Sequence, residues 1–435
     1  MPATFIAGIH PPTHKAYSEK QIIREMPAPQ KVYIPLSQHI GKPARVLVSV
    51  GDKVKIGQLI AKADGQVSAD VFASVGGKVV EIKEMPTANG KCVHVVIEND
   101  GSTDVLLLEP LSESANAQAI IERIRDAGII GMGGAGFPAA FKLSTAKNIN
   151  TYVINAAECE PYITCDHRIM LEYTVPFLRG CMLLKRAADA ERLIIAIEDN
   201  KQDAIAQVMD IIGRENLPIE VMPLGSKYPQ GAEKQIIYTV TGHKIAPGKL
   251  PSSVGAIVSN VHSALAVYFA VVEGQPCYRR IMTVSGKGIK TPANLWVANG
   301  TLFDDIIEFC GGMSQENTVK MISGGPMTGT ALAGGLYATA KTTGSLLLLT
   351  EDEAFTGESS PCIRCGKCAK ACPMRLMPMF IDAYSLVGDI TNAVRYGARN
   401  CIECGCCAYV CPAKRPLVQS IRLAKRKDAA QGGKK

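Results

Sequence analysis

The residues richest in chemistry lie near the C-terminus, where one cysteine spacing occurs twice. The runs are Cys362-x-x-Cys365-x-x-Cys368-x-x-x-Cys372-Pro373 and Cys401-x-x-Cys404-x-x-Cys407-x-x-x-Cys411-Pro412. Thiolates so spaced turn successive sulfurs toward one centre and wrap a cubane iron–sulfur cluster, and the proline after the fourth cysteine ends the loop. In paired runs of this kind the fourth cysteine of each serves the other cluster. The expected ligands are Cys362, Cys365, Cys368 and Cys411 for one 4Fe–4S cluster, and Cys401, Cys404, Cys407 and Cys372 for the second. Zinc sites usually come as two pairs with a longer gap, and a duplicated run of eight cysteines does not suit a disulfide framework. Cys406, a ninth thiol inside the second run, is expected beside its cluster as a non-ligand.

A second group is Gly131-Met132-Gly133-Gly134-Ala135-Gly136-Phe137-Pro138, with Lys142 one turn on. Its Gly-x-Gly-x-x-Gly pattern alone is a weak dinucleotide signal, because only Ile129–Ile130 stands where a buried strand should precede it. Residues without side chains let backbone N–H groups reach a phosphate, Pro138 opens a helix whose N-terminus favours anions, and Lys142 adds a cation. A plain tight turn is the alternative. Asn155, Glu158 and Glu160 follow a short strand. An amide and carboxylates there can bind ribose hydroxyls and a flavin or nicotinamide edge, and they equally suit a solvated loop. His10 and His14, in a Pro-stiffened arm, are expected to be structural.

The elements that must position these residues follow from periodicity. Residues 1–28 are expected as an irregular N-terminal arm. Residues 29–111 alternate apolar and polar positions in short runs between glycine turns (Val46–Val50, Val54, Leu59–Ala63, Val71–Ala73, Val79–Ile82 and Val93–Glu98), a β module. Residues 112–276 alternate helices (Ser114–Ala127, Ile169–Ala188, Lys201–Gly213, Glu233–Thr241, Val261–Val272) with strands (Val153–Asn155, Leu193–Ile197, Ile219–Leu224, Ala256–Ser259). That order implies a parallel Rossmann-like sheet with ligands at the strand C-terminal ends. Residues 277–352 read as β-grasp-like, with strands Met282–Val284 and Leu295–Val297, a helix capped by Gly300-Thr301-Leu302, and Gly311-Gly312 ending it. Residues 353–416 form the helical two-cluster unit, where Met377–Ala398 makes one or two helices between the cysteine runs. Residues 417–435 remain as a basic tail, with a possible short helix over Leu417–Lys427.

Composition limits the function classes. The chain of 435 residues is long enough for several domains, so the overall class is multidomain α/β. Its formal charge of +7 is that of the stretch from Ala413 onward, with eight Lys/Arg and one Asp, so the first 412 residues are formally neutral. No nucleic-acid partner is expected; the basic stretch reads as a solvated terminus or as a dock for acidic partners or anionic headgroups. Fifteen cysteines argue for a reducing compartment. The charge-free stretches Leu250–Val272 and Met321–Ala340 are broken by Gly, Ser, Asn, His or Pro, so no membrane span and no export leader is expected.

Two resemblances sharpen this. Val50-Gly51-Asp52-Lys53-Val54-Lys55-Ile56-Gly57-Gln58, with Ala73-Ser74-Val75-Gly76-Gly77-Lys78-Val79, resembles the barrel-sandwich hybrid of lipoyl and biotinyl carriers. The tip that would carry the modified lysine reads Gly65-Gln66-Val67-Ser68, so a rigid docking module is expected instead of a swinging arm. The glycine run with Lys142, Asn155-Ala156-Ala157-Glu158-Cys159-Glu160-Pro161, Tyr228-Pro229-Gln230-Gly231-Ala232-Glu233 and Ser259-Asn260-Val261-His262-Ser263 resemble the flavin site of the NADH-oxidising subunit of respiratory complex I. With the Gly8–Lys15 arm, the carrier-like module and the paired cysteine runs, the chain to about Pro412 resembles the RnfC family, from Rnf ion-translocating complexes.

That resemblance implies non-covalent FMN, NAD(H) as substrate, two 4Fe–4S clusters, an SLBB-like β-grasp domain and the other subunits of a membrane-bound complex as partners. It implies peripheral attachment to the cytoplasmic face of a prokaryotic inner membrane. FMN contacts would come from Gly131, Gly133, Gly134, Ala135, Gly136, Phe137, Lys142, Asn155, Glu158, Glu160, Tyr228, Gly231, Glu233 and Asn260, with Glu160 and Glu233 orienting the nicotinamide or its ribose. Complex I has Asp where this chain has Ala157, a second Asn at Ser259, and Glu and Thr at His262 and Ser263. The implied activity is that of an ion-transporting ferredoxin–NAD+ oxidoreductase, electrons reaching it indirectly from ferredoxin; a flavin is needed because nicotinamide moves two electrons at once and clusters move one. A relay scaffold without NAD binding, or a cobalamin reductase of similar make-up, is the alternative.

Overall fold

A computed structural model describes residues 2–88, 90–314 and 317–432. The N-terminal β module is two small antiparallel sheets. One has the order Lys31–Pro35, Gly90–Asn99, Gly77–Thr87, Lys53–Val54, and the other Arg45–Val46, Leu59–Lys62, Val71–Phe72. Alternation sends Val32, Ile34, Val79, Val95 and Ile97 inward against Val54, Ile60 and Val71. At the former carrier tip the Ser68 hydroxyl donates to the Lys42 carbonyl (2.9 Å) and accepts from the Asp64 amide (3.0 Å). The tip is thus pinned to its own module.

The second unit is a four-stranded, wholly parallel sheet in the spatial order Glu220–Leu224, Arg192–Glu198, Thr151–Ala156, Ala256–Asn260. The run Leu193–Ile197 is apolar and buried throughout, as expected of a strand covered by helices on both faces. The chain lays down Thr151–Ala156, moves to one side for the next two strands, then returns to its other side for Ala256–Asn260. The C-terminal ends of those two neighbours therefore flank the topological switch point, where open α/β sheets bind ligands. Ile129–Ile130 is no strand; Ile130 makes a single bridge to Pro138, which closes the glycine run into a turn.

The helix expected over Ile169–Ala188 is two, Cys165–Glu172 and Thr174–Ala187, broken at Tyr173. Pro176 lacks an N–H and would interrupt one long helix; restarting at Thr174 places it in a first turn, where that donor is not needed. The second of these helices packs on Val261–Val272 so closely that a Cβ on Gly180 would lie 1.9 Å from the Ala264 carbonyl oxygen.

The β-grasp unit holds six strands in the order Ile23–Glu25, Ala293–Ala298, Arg279–Ser285, Ser345–Thr350, Thr318–Ser323, Thr330–Leu332. Its two central strands run parallel, and the helix Phe303–Phe309 packs on them. Ile23–Glu25, in the arm expected to be irregular, is its edge strand, paired parallel with Ala293–Ala298. The Thr301 hydroxyl does not cap the helix, as the sequence suggests, but donates to the Ala298 carbonyl (2.9 Å). Asp304 and Asp305 supply the negative charge a first helical turn favours.

In the C-terminal unit, Met377–Ala398 contains two helices, Pro378–Leu386 and Ile390–Arg395. The short helices Lys367–Ala371 and Cys406–Tyr409 each begin after a left-handed glycine, Gly366 or Gly405, at the same place in the two cysteine runs. The helix Leu417–Ala430 buries Leu417, Val418, Ile421 and Ala424, so most of the stretch expected as a solvated tail belongs to this unit; residues 433–435, the end of that stretch, lie outside the described residues. Among the described residues no helix is long and apolar enough to cross a membrane.

In an exposed helix, Gly to Ala stabilises by about 1 kcal/mol. Gly180→Ala should instead destabilise this chain by about 1–3 kcal/mol through overpacking against Ala264. Denaturant melts of the α/β unit check the sign.

Candidate functional site

At the switch point the glycine run lies over the strand ends. A Cβ on Gly133 would come 2.7 Å from the Asn260 side chain, whereas one on Gly134 would meet open space. Gly133, Gly134 and Ala135 are exposed, so the backbone of this turn is presented to the cleft without side-chain cover. The turn is braced from behind. The Met132 amide donates to the Ser263 hydroxyl (2.9 Å), and the Ile40 amide of the N-terminal module donates to the Gly136 carbonyl (3.3 Å). Gly136 has φ +71°, and a Cβ there would press on Thr342 and the Gln38 carbonyl. The buried Lys341 ammonium ties the same corner, donating to the carbonyls of Asp70 (2.5 Å) and Gly128 (2.7 Å). The expected docking module is thus packed directly against the glycine loop.

Lys142 donates to the Val258 carbonyl midway along the strand Ala256–Asn260, and its ammonium lies 3.7 Å from Glu233. Burial lowers its pKa and the Glu233 charge opposes that. Asn155 donates to the Gly231 carbonyl (2.7 Å) and accepts from the Ala157 amide (3.1 Å). Asn260 accepts from the His262 amide (2.9 Å), capping the last helix of the unit, and donates to Asp166. The two asparagines therefore fix the backbone that walls the cleft.

The carboxylates separate into different surroundings. Glu158 is buried; it accepts from the Asp166 amide (2.7 Å) and lies 3.7 Å from the buried ammonium of Lys15. Lys15 comes from the N-terminal arm and also donates to the carbonyls of Glu160 (3.1 Å) and Ile163. Glu160 accepts from the Met327 amide (3.2 Å), the Thr328 hydroxyl and the Tyr228 hydroxyl (3.4 Å), and burial raises its pKa. Both its oxygens face the β-grasp loop, whereas Glu233 is 49 % exposed beside Lys142. The two residues expected to orient nicotinamide thus have no partner in common.

The cysteines gather into two hollows. The first is lined by Cys362, Cys365, Cys368 and Cys411; the second by Cys372, Cys401, Cys404 and Cys407. Each set combines three thiols of one run with the fourth of the other, and four sulfurs around a hollow are the donor set of a cubane cluster. Cys406 also borders the second hollow, but it is buried and packs with Tyr228, Ile9 and Ala371. The Tyr228 hydroxyl donates to the Cys404 carbonyl (2.7 Å), and the Gly8 amide to the Ala371 carbonyl (3.1 Å). The second hollow is therefore pressed against the loop that carries Asn155 to Glu160, and the first is not.

Comparison with known proteins agrees with this division. Four family models match: the RnfC barrel sandwich hybrid domain over residues 3–102, the Nuo51 FMN-binding domain over 124–269, the SLBB domain over 281–331 and a 4Fe-4S dicluster domain over 356–412. A component of the proton-translocating ferredoxin:NAD(+) oxidoreductase complex of Clostridium ljungdahlii is 44 % identical, over 99 % of this chain and 95 % of that protein. The chain belongs to the RnfC family. Its Acetobacterium woodii relative, from a Na(+)-translocating ferredoxin:NAD(+) oxidoreductase complex, is 41 % identical over 98 % of both chains. Its Rhodobacter capsulatus relative, from an ion-translocating oxidoreductase complex, is 40 % identical over 97 % of this chain and 82 % of that one. An NAD+-reducing [NiFe]-hydrogenase in its H2-reduced state shares the fold, with a TM-score of 0.53 and 18 % identity over 73 % of this chain and 62 % of that one.

Sequence reasoning did not single out Lys15, Asp166, Cys159 or the Gly324–Gly329 loop in this RnfC-family chain. Lys15 was visible only as the end of the Gly8–Lys15 arm, with no role of its own, and Asp166 carried no motif. Cys159 was visible as a scattered thiol, and its sulfur accepts from the Gly231 amide (3.4 Å) while packing beside Cys404. Asp166 holds its proton well above the usual carboxylate range, first because it is buried and then because Glu158 is near. A carboxyl with a raised folded pKa contributes stability that is fully present below the ordinary aspartate range and is lost as pH rises through the raised value. Asp166→Asn should therefore gain on the parent by about 1 kcal/mol or more as pH rises from 4 to 8. Equal differences at both pH values in thermal melts would contradict this assignment.

Proposed function

We propose that this RnfC-family chain is the NAD(H)-reacting, electron-transferring subunit of a membrane-bound, ion-translocating ferredoxin:NAD+ oxidoreductase. It would attach peripherally to the cytoplasmic face of the membrane through the other subunits. The observation that carries the reading is the direct contact between an anion-ready cleft at the sheet switch point and one of two four-thiol hollows, through Tyr228 and Cys404.

The donor sets fit the groups they would hold. In the cleft, the exposed backbone of Gly133, Gly134 and Ala135, framed by Gly131, Gly136 and Phe137, suits the phosphate end of FMN, and Lys142 supplies the cation. Asn155, Gly231 and Asn260 would border the ring and ribityl chain, with Glu158 and Tyr228 holding the wall. Glu233, the half-exposed carboxylate, would orient nicotinamide or its ribose, and Glu160 would hold Tyr228 and the β-grasp loop in place. When bound, FMN supplies the exchange between a hydride pair and single electrons that the clusters accept. The chain supplies binding, orientation and the short path to the second cluster. No side chain is needed as an acid or base in the hydride step.

Anaerobic reconstitution with FMN, iron and sulfide tests the reading: NADH should bleach the flavin within the mixing time of a stopped-flow experiment. A flavin that stays oxidised, with iron at full content, would leave only a relay. Lys142→Ala should lower FMN occupancy by about tenfold at limiting flavin, the worth of one charge-assisted contact; full occupancy would remove Lys142 from the site. The ligand exchange between runs has its own test. Cys411→Ala should perturb the cluster held by Cys362, Cys365 and Cys368 and leave the other intact, as read by electron paramagnetic resonance.

A further inference from the structure

The two hollows differ in what surrounds them. The second is backed by Tyr228, Ile9 and Met327, which pack with Cys406 and Cys404, and its neighbouring cations are satisfied: Arg422 and Lys425 pair with Glu403, and Arg399 pairs with Asp428. The first opens outward. Cys362 and Cys365 are exposed, Ile363 is 65 % exposed and Phe355 50 %. Between Glu358 and Ile381 the sequence has four cations and one carboxylate, Glu358 itself. Arg364, Lys367 and Lys370 are exposed in this stretch, and Lys414, also exposed, lies over the Phe355 ring at 5.4 Å. Among the described residues none of these four has a carboxylate partner; in the same unit Arg415 at the hollow is paired with Asp382. An apolar tip and unpaired cations thus surround the one thiol hollow that the rest of the chain leaves uncovered.

We propose that this rim is the docking face for an acidic protein that carries a one-electron centre, and that the first hollow is the port through which single electrons enter or leave the chain. The inference rests on the function proposed above and adds the port and the partner's surface chemistry. Small apolar contacts ringed by complementary charge suit brief electron-transfer encounters, where charge sets the rate of productive collision. With a cluster held by Cys362, Cys365, Cys368 and Cys411, each encounter would oxidise the partner's centre by one electron, which that cluster would accept. Two encounters deliver the pair that, with one proton from water, converts NAD+ to NADH.

The test uses the reconstituted holoprotein, an acidic two-cluster bacterial ferredoxin as probe, and reduced methyl viologen as a small cationic donor. Lys367→Glu/Lys370→Glu/Lys414→Glu should cut ferredoxin-driven NAD+ reduction by about tenfold or more, as should raising salt from about 50 to about 500 mM. Viologen-driven reduction, iron content and bleaching by NADH should stay within about twofold of the parent, because all eight cysteines and the flavin cleft keep their residues. If that variant loses iron, the milder Lys367→Gln/Lys370→Gln replaces it, with a smaller loss of the same kind expected. An unchanged ferredoxin rate would overturn the proposal. So would an equal loss in Arg426→Glu/Lys427→Glu, which reverses exposed cations on the last helix. Loss of binding to phosphatidylglycerol vesicles with the ferredoxin rate intact would assign the rim to a membrane surface instead. Should NADH fail to bleach even the parent, the functional reading falls; salt-sensitive ferredoxin binding, read by titration with the same variants, still decides the docking face.

Discussion

A tyrosine hydroxyl 2.7 Å from a cysteine carbonyl is where four parts of this chain converge. Tyr228 belongs to the α/β unit. Its backbone exchanges both hydrogen bonds with Ile9 of the N-terminal arm, its hydroxyl reaches Cys404 of the cluster unit, and Glu160 joins it to Met327 and Thr328 of the β-grasp unit. The constraint behind this convergence is distance. Electrons cross protein only where donor and acceptor are close, so a cluster that serves a flavin must be held rigidly against the flavin's loop. Fixing two units by a single contact would leave them free to hinge; a backbone pair with Ile9 and a hydroxyl shared between Cys404 and Glu160 remove that freedom.

The N-terminal arm has the same logic. It runs from Gly8, bonded to Ala371 in the cluster unit, to the Lys15 ammonium buried under the Glu158–Ile163 loop, and ends as an edge strand of the β-grasp sheet. A buried ammonium is costly unless fully bonded. Lys15 meets two carbonyls and a carboxylate, so its insertion orders the loop as well as the arm. Three units are thereby strapped by fewer than thirty residues, without a core of the arm's own.

What was legible in the sequence follows the range of the signal. The cysteine runs are local: each repeat of fixed spacing marks three thiols of one hollow, and the duplication points to the exchange of the fourth. The strand and helix order of the α/β unit was likewise written in periodicity, and with it the switch point. Features that depend on distant partners were not legible. Ile23–Glu25 is too short to show alternation and is a strand only because Ala293–Ala298 offers an open edge. Glu160 sits in a motif that suggested a cofactor contact, yet Gly325 and the amide of Met327, more than 160 residues away, set where its oxygens point. The final helix was expected over Leu417–Lys427 but its docking was hidden by its charge, because a stretch dense in Lys and Arg reads as solvated even when Leu417, Val418, Ile421 and Ala424 share one buried face.

The carrier-like module shows how one fold can be kept while its chemistry is discarded. A swinging-arm carrier needs a lysine at a free hairpin tip; here the tip holds Ser68, bonded on both sides within its own module. The corner beside that tip, where Lys42 and His39 bond to Val67–Ala69, has become the working one. Gln38 and Ile40 lie against Gly136, and Lys341 bridges the module's Asp70 to Gly128 just before the glycine run. A turn of exposed glycines is conformationally loose when unsupported, since glycine loses more backbone freedom on ordering than any other residue. Bracing it from outside the α/β unit meets that cost before any ligand arrives, so less of the ligand's binding energy is spent on ordering the loop. The module's rigidity, which made it unsuitable as a carrier, is what makes it suitable as a wall.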